Sequence, residues 1–81
     1  MRIYYSNAAL KVLKRMSADI RNHIMTRIQG LTSNPPVGDI KPLAGHPGEY
    51  RLRVGGYRVL YEYRDGALHI HNIGSRGDVY K

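Results

Sequence analysis

The pattern of apolar and polar positions divides the chain into a helical first half and a β-rich second half. In the first half, apolar residues recur at intervals of three and four positions, as they do along one face of a helix. The two runs are Ala9, Val12, Leu13 and Met16, followed by Ile20, Ile24, Ile28 and Leu31. Ser6 and Ser17 precede them as N-caps, since a serine hydroxyl accepts a hydrogen bond from the first helical turn. This pattern predicts a helical hairpin with one apolar side, preceded by a short strand over residues 1–5.

In the second half, apolar and polar residues alternate, which is typical of β-strands. Gly55-Gly56 separates two alternating runs and suits a two-residue hairpin turn, because glycine tolerates the positive φ angles of such turns. Asp65-Gly66 predicts a second tight turn, followed by a last strand over residues 68–73. In this register one face of the sheet carries the side chains that cover the helices, namely Tyr50, Leu52, Val54, Tyr57, Val59, Tyr61 and Tyr63.

Residues 35–48 contain all four prolines of the chain and are predicted to form a loop, with Leu43 as its anchor to the core. The chain of 81 residues suits one small domain, in which roughly 60–65% of the unfolded surface is buried on folding. The sequence therefore predicts one α+β domain over residues 1–81. Its N-terminal strand and two-helix hairpin precede a three-stranded antiparallel meander, and the helices pack on one face of the sheet.

The same hairpin register gathers arginines on the other face of the sheet. Arg53 is expected opposite Arg58, and Arg51 lies two residues from Arg53 on the same side. Like charges directly opposite each other on neighbouring strands are destabilising, and the acids expected nearby are Glu62 and Asp78. Converging arginines suit a phosphodiester and the additional negative charge of its transition state. The alternative is a basic face whose arginines point separately into water.

The charge composition favours an anionic partner. The chain has 13 Lys+Arg against 6 Asp+Glu, a net charge of +7, and nine of the basic residues are arginine, whose planar fork suits phosphates and carboxylates. Nucleic acid or an acidic protein is therefore the expected partner, with a solvated basic surface as the alternative. The absence of cysteine excludes disulfides and favours a cytoplasmic location. No apolar run approaches the ~20 residues of a membrane span.

Several residues near the C-terminus are further candidates. Arg76 follows the last strand and could join the arginine cluster. Tyr80 could accept a proton, orient a 2′-hydroxyl or stack on a base, or could anchor the chain end on the sheet. His71 is a candidate auxiliary acid or base on the arginine face, unless a bulge near Asn72 changes the register. His69 and His71 alone do not predict a metal site, because no third ligand is evident.

Three strings of residues resemble the RelE/ParE superfamily of bacterial toxin–antitoxin toxins, and the resemblance covers essentially the whole chain. They are Pro42-Leu43-Ala44-Gly45, the run from Tyr50 to Tyr61, and the run from Ile73 to Tyr80. The resemblance implies a small toxin that is neutralised by a cognate, acidic antitoxin in a toxin–antitoxin hetero-oligomer. For the RelE branch it implies a toxin with no membrane partner, which enters the ribosomal A site, contacts ribosomal RNA and cleaves the mRNA there.

The resemblance also implies roles for individual residues. Arg58, Arg76 and Tyr80 match catalytic positions of the RelE-like toxins, and Arg51 and Arg53 match a basic pair that binds RNA phosphate. The implied reaction uses no metal and no cofactor, since the RNA 2′-hydroxyl attacks its own phosphate and a 2′,3′-cyclic phosphate results. Arg58 would hold the phosphate, and Arg76 would stabilise the developing charge.

This sequence departs from the pattern of the superfamily at two places. Arg51 and Arg53 stand where some active relatives have lysine, and because arginine is not readily deprotonated, the proton-accepting role shifts towards Tyr80. Ser75 stands where many relatives carry a histidine. Two other interpretations stay open, namely a ParE-like toxin that inhibits DNA gyrase through protein contacts, and a non-catalytic or decayed binding module with the toxin fold.

Overall fold

The computed structural model describes residues 1–75, which form a five-stranded sheet with two helices against one of its faces. The elements are β1 (Ile3–Tyr5), α1 (Asn7–Arg15), α2 (Ala18–Gln29), a 3₁₀ turn (Gly30–Thr32), β2 (Asp39–Pro42), β3 (Glu49–Val54), β4 (Tyr57–Arg64) and β5 (Ala67–Ser75). The strand order is β1-β5-β4-β3-β2, in which β1 and β5 are parallel and all other neighbours antiparallel. This is the predicted α+β arrangement, enlarged by one strand. Neither helix of the described part is long and apolar enough to cross a membrane.

Both helices begin at the predicted serine caps. The Ser6 Oγ accepts a hydrogen bond from the Ala9 N–H at 3.1 Å, and the Ser17 Oγ accepts one from the Ile20 N–H at 3.4 Å. Ser6 also donates its hydroxyl proton to the carbonyl oxygen of His71 at 2.5 Å. One side chain therefore joins the start of α1 to β5 and fixes the helix on the sheet.

The core lies between the helices and one face of the sheet. Its buried side chains come from both helices, the 3₁₀ turn and three strands: Ala9, Leu13, Ile24, Ile28, Leu31, Leu52, Val54, Val59, Tyr61, Leu68, Ile70 and Ile73. These residues confirm which face of the hairpin covers the helices. Ile20 is the exception in the predicted helical stripe, because its side chain is 41% exposed and lines a surface cleft with Met16 and Tyr57.

The β3–β4 hairpin has the predicted register. Val54 pairs with Tyr57, and Arg53 pairs with Arg58, on either side of the two-residue turn. Gly55 adopts a φ of 58°, in the left-handed region that glycine enters without strain. A slip of one residue would move every side chain of a strand to the opposite face, so this turn decides which side of the sheet is basic.

The proline-rich segment is not a loop throughout, because Asp39–Pro42 forms the edge strand β2. β2 pairs with β3, and its apolar anchor is Ile40, whereas the predicted anchor Leu43 is only half-buried and outside the core cluster. Gly38, directly before β2, lets the backbone pass close to Leu52 of β3. A Cβ at this position would lie 2.6 Å from the Leu52 Cδ1, and the φ of 143° also favours glycine. An edge strand also tolerates proline, because one of its two rows of amides stays unpaired.

Candidate functional site

The open face, meaning the side of the sheet away from the helices, carries its side chains in three rows across the strands. The first row is Asp39, Arg53, Arg58 and Gly74, the second is Lys41, Arg51, Leu60 and Asn72, and the third is Glu49, Glu62, His69 and Tyr4. The cations of the first two rows form what we call the basic patch: Lys41, Arg51, Arg53 and Arg58. The basic patch occupies one end of the face, whereas at the other end Arg64, two residues beyond Glu62 on β4, forms an ion pair with Glu62 and contacts His69.

Arg53 and Arg58 face each other across β3 and β4, as the sequence predicted. Arg53 is exposed, and Arg58 is half-buried, with its Nη1 donating a hydrogen bond to the carbonyl oxygen of Tyr57 at 3.3 Å. Within residues 1–75, neither guanidinium forms an ion pair with a carboxylate. Like charges in this arrangement repel each other, and a bound anion would relieve that repulsion.

Arg51 lies on the same face, but its guanidinium is already bound by Asp39. The Arg51 Nη1 lies 3.6 Å from the Asp39 Oδ1 and 3.5 Å from the Asp39 carbonyl oxygen, and only 11% of the arginine side chain is exposed. The sequence does not place Asp39 among the acids near the arginines, because it predicts a loop where the structure has β2. The alternation of Asp39, Ile40 and Lys41 was the only signal in the sequence for this position.

Glu62, one of the two acids predicted near the arginines, is bound instead by Arg64 and His71, beside the third row. Its Oε1 lies 2.7 Å from the Arg64 Nη1 and 3.0 Å from the His71 Nε2. The other predicted acid, Asp78, lies outside the described residues. In the described part of the chain, Asp39 is therefore the carboxylate that neutralises charge within the basic patch.

A β-bulge sets the position of His71. The pairing of β4 with β5 shifts between residues 60 and 61, so that His71 has no opposite residue in β4. A bulge near this position was the alternative that the sequence left open. The bulge lets Ile70 and Ile73 both face the core although they are three positions apart. His71 consequently meets Glu62 rather than the arginine pair.

Tyr4 and His69 form the far end of the third row, where their rings stack with centroids 5.2 Å apart and planes at 18°. Because Ile3 and Tyr5 pack against the core, Tyr4 faces away from it and is 48% exposed. Arg64 borders the stack, since its Nη2 lies 3.4 Å from the His69 Nδ1, and the His69 Nε2 lies 3.2 Å from the Arg64 carbonyl oxygen. The sequence does not predict this stack, because the neighbour of β1 in the sheet cannot be read from a local pattern.

Arg76 and Tyr80 lie outside the described residues, so their places beside the arginines stay predictions. β5 runs to the basic patch, because Gly74 pairs with Arg58 and the described chain ends one residue later.

The open face therefore presents the basic patch at one end and, beside Arg64, two aromatic rings at the other. A guanidinium stays protonated in proteins, so Arg53 and Arg58 can bind negative charge but cannot accept a proton. This chemistry suits the phosphate of a nucleic acid, provided that another group receives any proton that a reaction releases.

Comparisons with known proteins agree with this architecture. A family model described as ParE toxin of type II toxin-antitoxin system, parDE, matches residues 3–80. Toxin RelE3 from Methanocaldococcus jannaschii is 26% identical over 84 aligned residues, which cover 99% of this chain and 96% of that protein.

Solved structures of toxins have the same fold. The RelB-RelE antitoxin-toxin complex from Methanococcus jannaschii matches with a TM-score of 0.77 and 28% identity, over 95% of this chain and 94% of that chain. The isolated E. coli RelE toxin matches with a TM-score of 0.77 and 22% identity, over 98% and 89% of the two chains. The E. coli DinJ-YafQ toxin-antitoxin complex matches with a TM-score of 0.68 and 20% identity, over 98% and 96%. The similarity of this chain to the two E. coli toxins is a similarity of fold alone.

Proposed function

Because the chain belongs to the ParE toxins of type II toxin–antitoxin systems, within the RelE/ParE superfamily, we propose that it is a toxin that cleaves mRNA on the ribosome. The observation that carries this proposal is the Arg53–Arg58 pair, which faces solvent without a carboxylate partner in residues 1–75. A phosphodiester supplies the negative charge that such a pair lacks, and guanidinium groups bind its oxygens through paired hydrogen bonds.

In the proposed reaction, the 2′-oxygen of a nucleotide attacks the phosphorus of its own phosphodiester. The bond from phosphorus to the 5′-oxygen of the next nucleotide breaks, which leaves a 2′,3′-cyclic phosphate and a 5′-hydroxyl. The proton of the 2′-hydroxyl passes to a base, and the departing oxygen receives a proton. Arg58 would hold the phosphate and Arg53 would bind beside it, because fixed donors stabilise charge that develops in the transition state.

Arg76 and Tyr80 complete the proposed site on the strength of the resemblance. Arg76 would stabilise the developing charge, and Tyr80 would accept the proton that the arginines cannot take. His71 would be an auxiliary acid or base only for RNA that reaches past the arginine pair, because the bulge places its Nε2 3.0 Å from the Glu62 Oε1.

Arg51 has a different part in the proposed site than Arg53. Its guanidinium is bound by Asp39 and almost buried. It would therefore add positive potential beneath the RNA, but it has no free pair of N–H groups with which to bind a phosphate. We therefore assign the direct phosphate contact of this strand to Arg53.

A cognate antitoxin is the proposed protein partner. RelE from Methanococcus jannaschii and YafQ from E. coli are each known in a complex with an antitoxin. The net charge of +7 favours an acidic antitoxin, whose charge would complement the basic patch. In the ribosomal A site, mRNA and ribosomal RNA would be the nucleic-acid partners.

The test expresses the chain from an inducible promoter and maps mRNA ends by primer extension. The wild type should arrest growth and produce new 5′ ends within translated mRNA. Arg58→Ala and Arg76→Ala should each lower cleavage about 100-fold, the usual loss for one donor to a developing anion, and Tyr80→Phe should lower it by removing the proton acceptor.

Lys14→Ala is the control, because Lys14 is an exposed basic residue of α1, in the helix layer. This variant should cleave mRNA as the wild type does. Undiminished cleavage by an Arg58→Ala/Arg76→Ala double variant would overturn the proposal.

A second candidate is the inhibition of DNA gyrase through protein contacts. The match to a ParE toxin model favours it, since the resemblance to that branch implies this target. The same induced cultures distinguish the two functions: a gyrase inhibitor would cause a DNA-damage response while mRNA stays intact.

A further inference from the structure

The third row of the open face contains a pair of rings that the cleavage reaction does not use. Tyr4 is 48% exposed, yet its ring lies nearly parallel to that of His69, with the centroids 5.2 Å apart. Proteins that bind single-stranded RNA stack its bases on exposed aromatic rings of this kind.

The sheet and a neighbouring arginine hold these rings in place. His69 pairs with Tyr4 in β1 and with Glu62 in β4, and both nitrogens of its ring contact Arg64. Because the two rings are already ordered, a base that stacks on them immobilises few further side chains, and this lowers the entropic cost of binding.

The rings lie on the same face as the basic patch, at a distance that RNA can span. Along β4, Glu62 is four residues from Arg58, which corresponds to about 13 Å, and the step from β4 to β1 adds two strand spacings, or about 10 Å. The diagonal of about 16 Å exceeds the ~3.4 Å rise of one stacked nucleotide several-fold. A base on the rings would therefore belong to a nucleotide a few positions away from the phosphate at Arg58.

The charges of the third row favour a base over a phosphate at this end. Glu49 and Glu62 face each other across β3 and β4. Arg64 balances the charge of Glu62, whereas the Glu49 carboxylate disfavours a phosphate but accepts hydrogen bonds from base amino groups. The basic patch has the opposite preference. An RNA strand would thus place its backbone over the arginines and a base over the rings.

We propose that Tyr4 and His69 form a base-stacking site for single-stranded RNA that is bound at the basic patch. This inference rests on the proposed function, because the patch supplies the phosphate contacts. The rings add affinity and alignment of the strand, and they do not touch the reacting phosphate.

Fluorescence anisotropy of the purified full chain tests this site. The probes are a labelled 2′-O-methyl RNA of about ten nucleotides, within the site sizes of single-strand binding folds, and an unlabelled dinucleotide competitor too short to reach from Arg58 to the rings. Tyr4→Leu keeps an apolar side chain on β1 but removes the ring, and it should weaken binding of the long RNA about 5- to 150-fold, the loss typical of one stacked base. Tyr4→Phe should bind within about two-fold of the wild type, and the dinucleotide should bind all three proteins alike.

Tyr63→Leu is the matched control, because Tyr63 belongs to the core-facing side of β4 and donates its hydroxyl proton to the Leu31 carbonyl oxygen at 2.6 Å. It should leave RNA affinity unchanged. His69→Ala gives an independent test of the stack if Tyr4→Leu fails to fold, which circular dichroism would show.

The outcomes separate this site from the proposed function. If Arg58→Ala weakens RNA binding but Tyr4→Leu and His69→Ala do not, the base-stacking site is wrong and the phosphate site stands. If none of these changes affects binding, both are wrong. A loss of antitoxin binding with unchanged RNA affinity in Tyr4→Leu would mark the rings as a protein contact and overturn the inference.

Discussion

Asp39 and Arg51 form an ion pair across β2 and β3, with 3.6 Å between the Asp39 Oδ1 and the Arg51 Nη1. The pair divides the basic patch into two parts, because Arg51 is neutralised and almost buried while Arg53 and Arg58 keep their charge free of carboxylates within residues 1–75. It also joins the edge strand β2 to the rest of the sheet through a side chain.

Asp39→Asn should therefore destabilise the fold. The guanidinium of Arg51 would stay buried but lose its charged partner, and we expect the free energy of unfolding to fall by about 1 kcal/mol, since the carboxylate is 55% exposed and solvent screens part of the attraction. Urea unfolding followed by circular dichroism measures this change. Asp65→Asn is the control, because that carboxylate is 91% exposed, and its effect should stay below about 0.5 kcal/mol. Equal midpoints for the two variants would show that the ion pair does not stabilise the sheet.

Arg53→Gln should have opposite effects on stability and on RNA binding. Loss of one charge relieves the repulsion with Arg58, so we expect the free energy of unfolding to rise by a few tenths of a kcal/mol, roughly the size of one cross-strand charge effect. RNA affinity should fall, because a phosphate contact is lost. The stabilisation should disappear at ~1 M salt, where the screening length is about 3 Å.

Arg64→Gln provides the comparison for this prediction. Arg64 forms an ion pair with Glu62 at 2.7 Å, so its loss should not stabilise the protein at any salt concentration. A stability change of the same sign and size in both variants would contradict a specific repulsion between Arg53 and Arg58.

The sequence predicted the hairpin at the centre of the site because local chemistry fixes it. Gly55 sits at a φ of 58° in a two-residue turn, and this turn alone sets Arg53 opposite Arg58. Cap residues fixed the helices in the same way, since Ser6 and Ser17 bond to amides only three positions away. These features depend on neighbours in the chain and can be read from a single sequence.

Other parts of the site depend on contacts between distant segments and were not predictable in this way. β2 lies between prolines that suggest a loop, and Asp39 acquires its role only when that strand pairs with β3. The stack of Tyr4 on His69 requires the parallel pairing of β1 with β5, which joins residues 65 positions apart. The predicted roles of Arg76 and Tyr80 lie beyond the described residues and stay predictions.

Ser6→Ala should destabilise the protein more than Ser17→Ala. Ser6 caps α1 and also donates to the His71 carbonyl oxygen, so its loss leaves one amide and one carbonyl without their partner, at a cost of about 2 kcal/mol. Ser17 makes only an exposed cap bond of 3.4 Å, and its loss should cost about 0.5 kcal/mol. Thermal unfolding of the two variants measures the difference, and equal melting temperatures would show that the Ser6 contact with β5 adds nothing.

Tyr61 lies at the centre of a tyrosine cluster on the core side of the sheet. Its ring stacks on Tyr50 at 5.7 Å and meets the edge of Tyr63 at 5.7 Å. The side chain is fully buried, and its hydroxyl has no hydrogen-bond partner among the described residues. Burial is the main cause that raises the pKa of Tyr61, and the neighbouring Tyr63 and Tyr50 raise it further.

Tyr61→Phe should keep or increase stability at pH 7, because it removes a buried hydroxyl without a partner. The raised pKa means that the folded state holds the Tyr61 phenol proton more tightly than the unfolded state does. The stability that this tighter proton binding contributes is complete below pH ~10 and is lost as the pH rises further. The advantage of Tyr61→Phe over the wild type should therefore grow above pH ~10, by at most about 1.4 kcal/mol per pH unit. Urea unfolding at neutral and alkaline pH measures it. Tyr63→Phe, which loses the bond to Leu31, should instead be less stable than the wild type at pH 7, and a similar loss in Tyr61→Phe would show that its hydroxyl is bonded.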